Sequence, residues 1–294
     1  MSNAQAVTSR VLTIPGTNGL SLHGRHWAVN DPRGVVVVVH GFGEHGDCYD
    51  HVARAVSPVA GVDFVAPDLR GHGLSPGRRG VVKVYDDLVD DVMSTVSWVE
   101  RERPGLPIYL LGQSNGGLVV LYTMLNAKAA GRLAGVIVSN PALALAFPVP
   151  KAQVQLGKIL LRIAPWFTLP SPIVPENLTR DPVLQQWRRD DPLMHGRMSA
   201  PLFFGMGEGS RQVSLNAEKV VAPLLMILGG SDPVIDPQTS REVFDRLGST
   251  DKTLLLFPPM LHEPLNEIGR EKVFTDIADW LDSRLTPASN RTPA

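Results

Sequence analysis

What this chain lacks narrows the field before anything it contains. There is one cysteine, Cys48, which excludes an internal disulfide framework and a thiolate metal cluster. Neither sign of charge is in excess. The formal net charge is −1 at pH 7, so no basic field points to nucleic acid and no acidic tract to a cationic partner. No apolar run approaches the roughly 20 residues that span a bilayer, and residues 1–10 lack the apolar segment of an export signal; a cytoplasmic protein is the expectation. Repeats and low-complexity tracts are absent as well. What remains is ordinary for a globular protein, with 44% hydrophobic and 19% charged residues. A chain of 294 residues suits one large α/β domain or two smaller ones, and at that size about three quarters of the unfolded surface is buried.

Taken in order, Arg10 to Ile14 and Leu20 to Ala28 read as strands joined by Gly16-Thr17-Asn18-Gly19, since Asn-Gly tolerates the positive φ of a hairpin turn. Val35 to Val39 is a continuous β-branched run, the mark of a strand buried on both faces of a parallel sheet. A glycine-rich loop follows, His40-Gly41-Phe42-Gly43-Glu44-His45-Gly46, then a helix over Asp47 to Ser57 and a strand over Val62 to Ala66. Helical spacing over Val81 to Arg103 puts Val84, Leu88, Val92, Val96 and Val99 on one face, with aspartates near the start favouring the helix dipole. Ile108 to Leu111 and Leu133 to Ser139 are further strands. Strand and helix therefore alternate with short links, as in a sheet covered on both sides.

That rhythm stops over residues 142–221. The stretch is rich in proline and carries one helix candidate, Gln153 to Ile163. It reads as an inserted helical cap between a first core part, 1–141, and a second, 222–285. Pro223 to Leu228 resumes the sheet, Pro237 to Leu247 is a helix capped by Asp236, Thr253 to Phe257 is the last strand, and Pro264 to Leu285 a terminal amphipathic helix. Residues 286–294 read as a disordered tail.

The chemistry centres on Gly112-Gln113-Ser114-Asn115-Gly116. A serine in G-x-S-x-G between a strand and a helix sits on a sharp, strained turn that lifts its hydroxyl above the sheet. Acyl transfer also needs a base to take the serine's proton and an acid to orient that base. In this architecture they follow in the order Ser, acid, His, each just past a strand end. Ser114, Asp232 and His262 meet that order. Asp236 is a rival acid already explained as a helix cap, and His40, His45 and His72 are rival bases lying far from the last strand. An oxyanion hole needs two converging amides: one from Asn115, after the nucleophile, the other from the His40–Gly43 loop, with Phe42 as donor. His40, Arg70 and His72 read as loop-holding residues, and Cys48 as an apolar filler.

With these motifs in view, the chain resembles the monoglyceride lipase and lysophospholipase branch of the α/β-hydrolases. The resemblance is carried by His40-Gly41-Phe42-Gly43-Glu44-His45, Asp68-Leu69-Arg70-Gly71-His72-Gly73-Leu74-Ser75, the serine turn, Asn140-Pro141, Asp191-Pro192-Leu193, Gly230-Ser231-Asp232 and Met260-Leu261-His262-Glu263. It implies an α/β-hydrolase fold, a mostly parallel sheet with helices on both faces and a helical cap over an apolar acyl tunnel. It makes Ser114 the nucleophile, Asp232 the acid, His262 the base, and Phe42 and Asn115 the oxyanion donors. Glu44, His45 and Leu265 are the implied substrate-binding positions. The chain departs from the branch at the serine's flanks, where Gln113 and Asn115 replace the common His and Met. It departs again at Cys48 and Leu265, which stand where glycerol-recognising relatives carry basic or polar residues. The expectation is a serine carboxylesterase acting on esters with an apolar acyl chain, with no metal or cofactor. Its substrate is a small ester or lipid, with transient membrane contact through the cap. The alternatives are an amide-cleaving, thioester-cleaving or haloperoxidase-like variant of the fold, and a catalytically silent protein that binds an apolar ligand.

Overall fold

The computed structural model describes residues 6–126, 129 and 131–285; the expected tail, 286–294, lies outside them. The valine run forms β3 (Gly34–Val39) at the centre of an eight-stranded sheet. The other strands are β1 (Thr8–Pro15), β2 (Ser21–Ala28), β4 (Val62–Pro67), β5 (Ile108–Gln113), β6 (Gly135–Ser139), β9 (Leu224–Gly229) and β10 (Lys252–Phe257). Their order is β1-β2-β4-β3-β5-β6-β9-β10. β2 runs antiparallel to β1 and to β4, and the strands from β4 to β10 pair in parallel.

Because side chains alternate along a strand, the sheet sorts its own residues into two cores. Val35, Val37 and Val39 face a cluster built with α2 (Asp86–Glu102), α3 (Asn115–Met124) and α7 (Pro237–Arg246). Val36 and Val38 face the other, built with α1 (Asp50–Ala60) and α8 (Arg270–Asp282). Each fully buried valine contributes about 1.5 kcal/mol or more, so the run anchors both layers at once. Parallel pairing also brings the carboxyl ends of β5, β6 and β9 to one edge, with Gln113 opposite Ser139 and Ser139 opposite Ile227. The functional loops leave from that edge.

Two helices are shorter than their apolar spacing suggests. The one expected from Val81 begins at Asp86, because residues 81–85 are held in turns: the Asp87 carboxylate accepts from Val84 N at 3.4 Å, and Val84 points to solvent. The terminal helix is broken by Gly269 at φ 86°, which leaves Pro264–Asn266 as a single separate turn.

Between β6 and β9 lie α4 (Lys151–Ile163), α5 (Pro182–Asp190), α6 (Ala200–Leu215) and a small antiparallel pair, β7 (Thr168–Pro170) with β8 (Arg197–Ser199). Sequence reasoning missed α6, whose Gly205, Gly207 and Gly209 argue against a helix. The reason for two of those glycines is tertiary. A Cβ on Gly205 would lie 2.6 Å from the Tyr85 Cβ, and one on Gly209 would lie 3.0 Å from the same ring, so α6 packs by its backbone against Tyr85.

Candidate active site

Ser114 joins β5 directly to α3 and has φ 53°, ψ −118°. For a side-chain-bearing residue this costs roughly 1–3 kcal/mol and survives only where the surroundings enforce it. They do so on both sides. Ser114 N donates to Ser139 O at 2.9 Å, and its own carbonyl accepts from Leu118 N and Ala142 N, both at 3.0 Å. Gly116 then lets α3 cross the end of β3, since a Cβ there would stand 1.9 Å from Val39 O.

His262 and Asp232 reach this serine from the loops after β10 and β9. The His262 Nδ1–H donates to Asp232 Oδ2 at 2.7 Å, which leaves Nε2 to accept from the Ser114 hydroxyl at 2.8 Å. Asp232 is itself held by Val234 N at 2.7 Å and Ile235 N at 3.0 Å, both donating to Oδ1. All three sequence candidates therefore meet in one hydrogen-bonded line. Asp236 instead caps α7, accepting from Gln238 N and Thr239 N.

The rival histidines are occupied elsewhere. His40 Nδ1 donates to Gly41 O and Nε2 accepts from Leu69 N at 2.9 Å; burial lowers its pKa to about 4, so it is neutral. His72 donates to Arg70 O and lies between the His40 and His195 rings, tilted against both, with burial holding its pKa well below the usual range. Arg70 is clamped by Asp87 and Asp91.

Phe42 lies in the wall of the cavity over Ser114, while the neighbouring Gly41 amide is engaged by Glu44 Oε2 at 2.7 Å. Asn115 opens α3, so its amide has no intrahelical acceptor. Its side chain turns away and accepts from the Tyr85 hydroxyl at 2.8 Å. The cavity measures about 1050 Å³ and is walled largely by apolar side chains, among them Leu143, Phe147, Leu160, Ile173, Leu178 and Phe203.

The three implied substrate-binding positions separate in space. Glu44 is in the cavity wall, its Oε2 filled by Gly41 N and the Tyr49 hydroxyl. His45 is not in the wall; it is buried behind the loop, 2.9 Å from Asp191 Oδ2. Leu265 is also outside the wall, packed in the core with α1 and α8, and its carbonyl accepts from His51. The residue that sequence reasoning did not find is Arg188 of α5. Its guanidinium bridges Glu44 Oε1 at 2.8 Å and Glu263 Oε1 at 2.5 Å, and all three line the cavity beside His262. Burial pushes the Glu263 carboxyl up, against the opposing pull of Arg188. Cys48 is buried beside Glu44, and burial pushes its thiol well up.

Comparison with known proteins follows the same lines. The family model described as serine aminopeptidase, S33, matches residues 30–269. A monoacylglycerol lipase of Mycolicibacterium smegmatis is 32% identical over 279 residues, spanning 93% of this chain and 97% of its own length. The human monoglyceride lipase is 31% identical over 290 residues, 95% of this chain and 93% of its own. Among solved structures, a monoacylglycerol lipase of Paleococcus ferrophilus superposes with a TM-score of 0.78 at 30% identity, over 95% of this chain and 99% of that one.

Proposed function

This chain belongs to the serine aminopeptidase S33 family and within the α/β-hydrolases is monoglyceride-lipase-like, and on that premise we propose that Ser114 hydrolyses carboxylic esters of apolar acyl chains. The enzyme class is that of the serine esterases. The observation that carries the finer reading is the line Asp232–His262–Ser114, with 2.7 and 2.8 Å contacts, at the floor of an apolar cavity.

Ser114 Oγ attacks the ester carbonyl carbon as His262 Nε2 takes its proton, and Asp232 stabilises the imidazolium so formed. The carbonyl oxygen becomes an oxyanion that accepts from the amides of Phe42 and Asn115; one such donor is worth roughly 3–4 kcal/mol. The intermediate collapses as His262 returns the proton to the departing alcohol. Water then attacks the acyl carbon bound to Ser114 as it gives a proton to His262, and His262 passes that proton to Ser114 Oγ as the Oγ–acyl bond breaks and the acyl group leaves as a carboxylic acid. The apolar wall favours this reading over peptide cleavage, because buried peptide groups need hydrogen-bond partners that such a wall does not offer.

The acyl end would occupy the apolar cavity and the alcohol the end where Glu44, Arg188 and Glu263 meet. No described helix is long and apolar enough to cross a membrane. α4, however, exposes Leu156, Ile159 and Ile163, and peripheral contact with a lipid surface through that helix is part of the proposal.

Substitution Ser114→Ala tests the assignment: turnover of p-nitrophenyl esters and monoacylglycerols is expected to vanish with the fold intact. Wild-type protein is expected to take up one fluorophosphonate per chain. Retained turnover in the variant would refute the mechanism, and an unlabelled wild type would favour a silent binder.

A further inference from the structure

Gln113 ends β5 and is 1% exposed, yet it belongs neither to the cavity wall nor to either apolar cluster. Its side-chain Nε2 donates to the backbone carbonyl of His262 at 2.9 Å. Asn140, at the end of β6, donates to the same oxygen at 2.8 Å and to Leu261 O at 3.1 Å, while its Oδ1 accepts from Gly229 N at 2.9 Å. Two amide donors from adjacent strand ends thus converge on one carbonyl and use both of its lone pairs. The neighbouring anchors of this segment are Glu267, accepting from Leu261 N at 3.2 Å, and Leu178, whose carbonyl accepts from Glu263 N.

Stability alone does not account for a glutamine here. Its Oε1 is buried with no partner among the described residues, and an unmet buried acceptor costs roughly 1–3 kcal/mol. An apolar side chain of similar shape would avoid that cost, and the His262 carbonyl would still be satisfied by Asn140. What the glutamine adds is a second, independent restraint on the backbone that carries the imidazole. An imidazole serving both Ser114 Oγ and Asp232 Oδ2 tolerates little displacement, because misplacing a reacting group by about 1 Å can cost 100-fold in rate.

We infer that Gln113 is a positioning residue for the base: its amide locks the His262 carbonyl so that Nε2 stays on the serine hydroxyl through acylation and deacylation. The inference rests on reading His262 as the general base. It gives the unusual flank of the serine a role distinct from that of Asn115, whose side chain is tied to Tyr85.

The test is Gln113→Leu, which removes the donor and the unmet acceptor together, assayed per active site titrated with fluorophosphonate. The expected result is a kcat lower by about tenfold, KM within about twofold, and a fluorophosphonate labelling rate lower by the same factor as kcat. Thermal stability is expected to be unchanged or higher. Gln113→His, which restores a ring N–H donor, is expected to recover most of kcat. If the leucine variant does not accumulate as folded protein, Gln113→Met is read in the same way. A kcat per titrated site within twofold of wild type would overturn the inference, as would a loss matched by fewer titratable sites. A wild type that takes up no fluorophosphonate overturns the esterase reading instead, so the two failures are distinguishable.

Discussion

Replacing Arg188 by methionine should make the stability of this protein steeply dependent on pH. The guanidinium lies between Glu44, 1% exposed, and Glu263, 4% exposed. Methionine keeps the apolar bulk of the stem and removes the charge, leaving two buried carboxylates facing one vacated cation. Like charges in such a site do not both ionise, so one carboxyl holds a proton in the folded state. Its unfolded-state pKa is about 4.3, and holding the proton costs about 3.7 kcal/mol at pH 7 and about 1 kcal/mol at pH 5. The value at pH 7 agrees with the roughly 3–5 kcal/mol observed when one partner of a buried pair is removed. The sign follows from proton counting. Above pH 4.3 the folded variant binds one more proton than its unfolded chain, so its stability falls as pH rises, by about 1.4 kcal/mol per unit. The raised Glu263 carboxyl of the wild type already leans in this direction, with Arg188 restraining it. Urea unfolding followed by tryptophan fluorescence at pH 5, 6, 7 and 8, for variant and wild type side by side, measures the difference. A penalty that does not change with pH, or one below about 1 kcal/mol at pH 8, would refute the reasoning.

Two further outcomes follow from the site and from α4. Asp232→Asn keeps the shape but loses the acceptor that fixes the His262 tautomer, and kcat is expected to drop about 10⁴-fold with unaltered circular dichroism; a drop below tenfold in steady-state assays would remove Asp232 from its role. Ile159→Asp, on the exposed face of α4 and outside the cavity wall, should abolish flotation with liposomes while leaving turnover of a short soluble ester within about twofold; flotation equal to wild type would remove α4 from the lipid contact.

Much of this protein is written in local pattern. The unbroken valine run of β3 requires a sheet buried on both faces. The strand–turn–helix around Ser114 requires a raised hydroxyl, and the chain order of Ser114, Asp232 and His262 places each after a strand end. These signals are legible because each depends on residues within a few positions of one another, or on the order in which strands must end at one edge. Asp236 was legible as a cap for the same reason.

Other features depend on which distant atoms meet, and no local pattern carries that information. Arg188 was invisible because nothing in the sequence of α5 says that its guanidinium will lie between Glu44 and Glu263. α6 was hidden because its glycines argue against a helix until Tyr85 is seen against them. Leu265, an implied substrate-binding position, lies in the core instead, in the separate turn Pro264–Asn266, where it packs with α1 and α8 and its carbonyl accepts from His51. The flanks Gln113 and Asn115 showed only as departures from a pattern. The sequence by itself determined the two-faced sheet, the strained serine and the order of Ser114, Asp232 and His262 along the chain, since an unbroken β-branched run and turn sterics act locally. Only the tertiary structure decided what those flanks hold, because hydrogen bonds to the His262 carbonyl and the Tyr85 hydroxyl join atoms that the chain brings together only when folded.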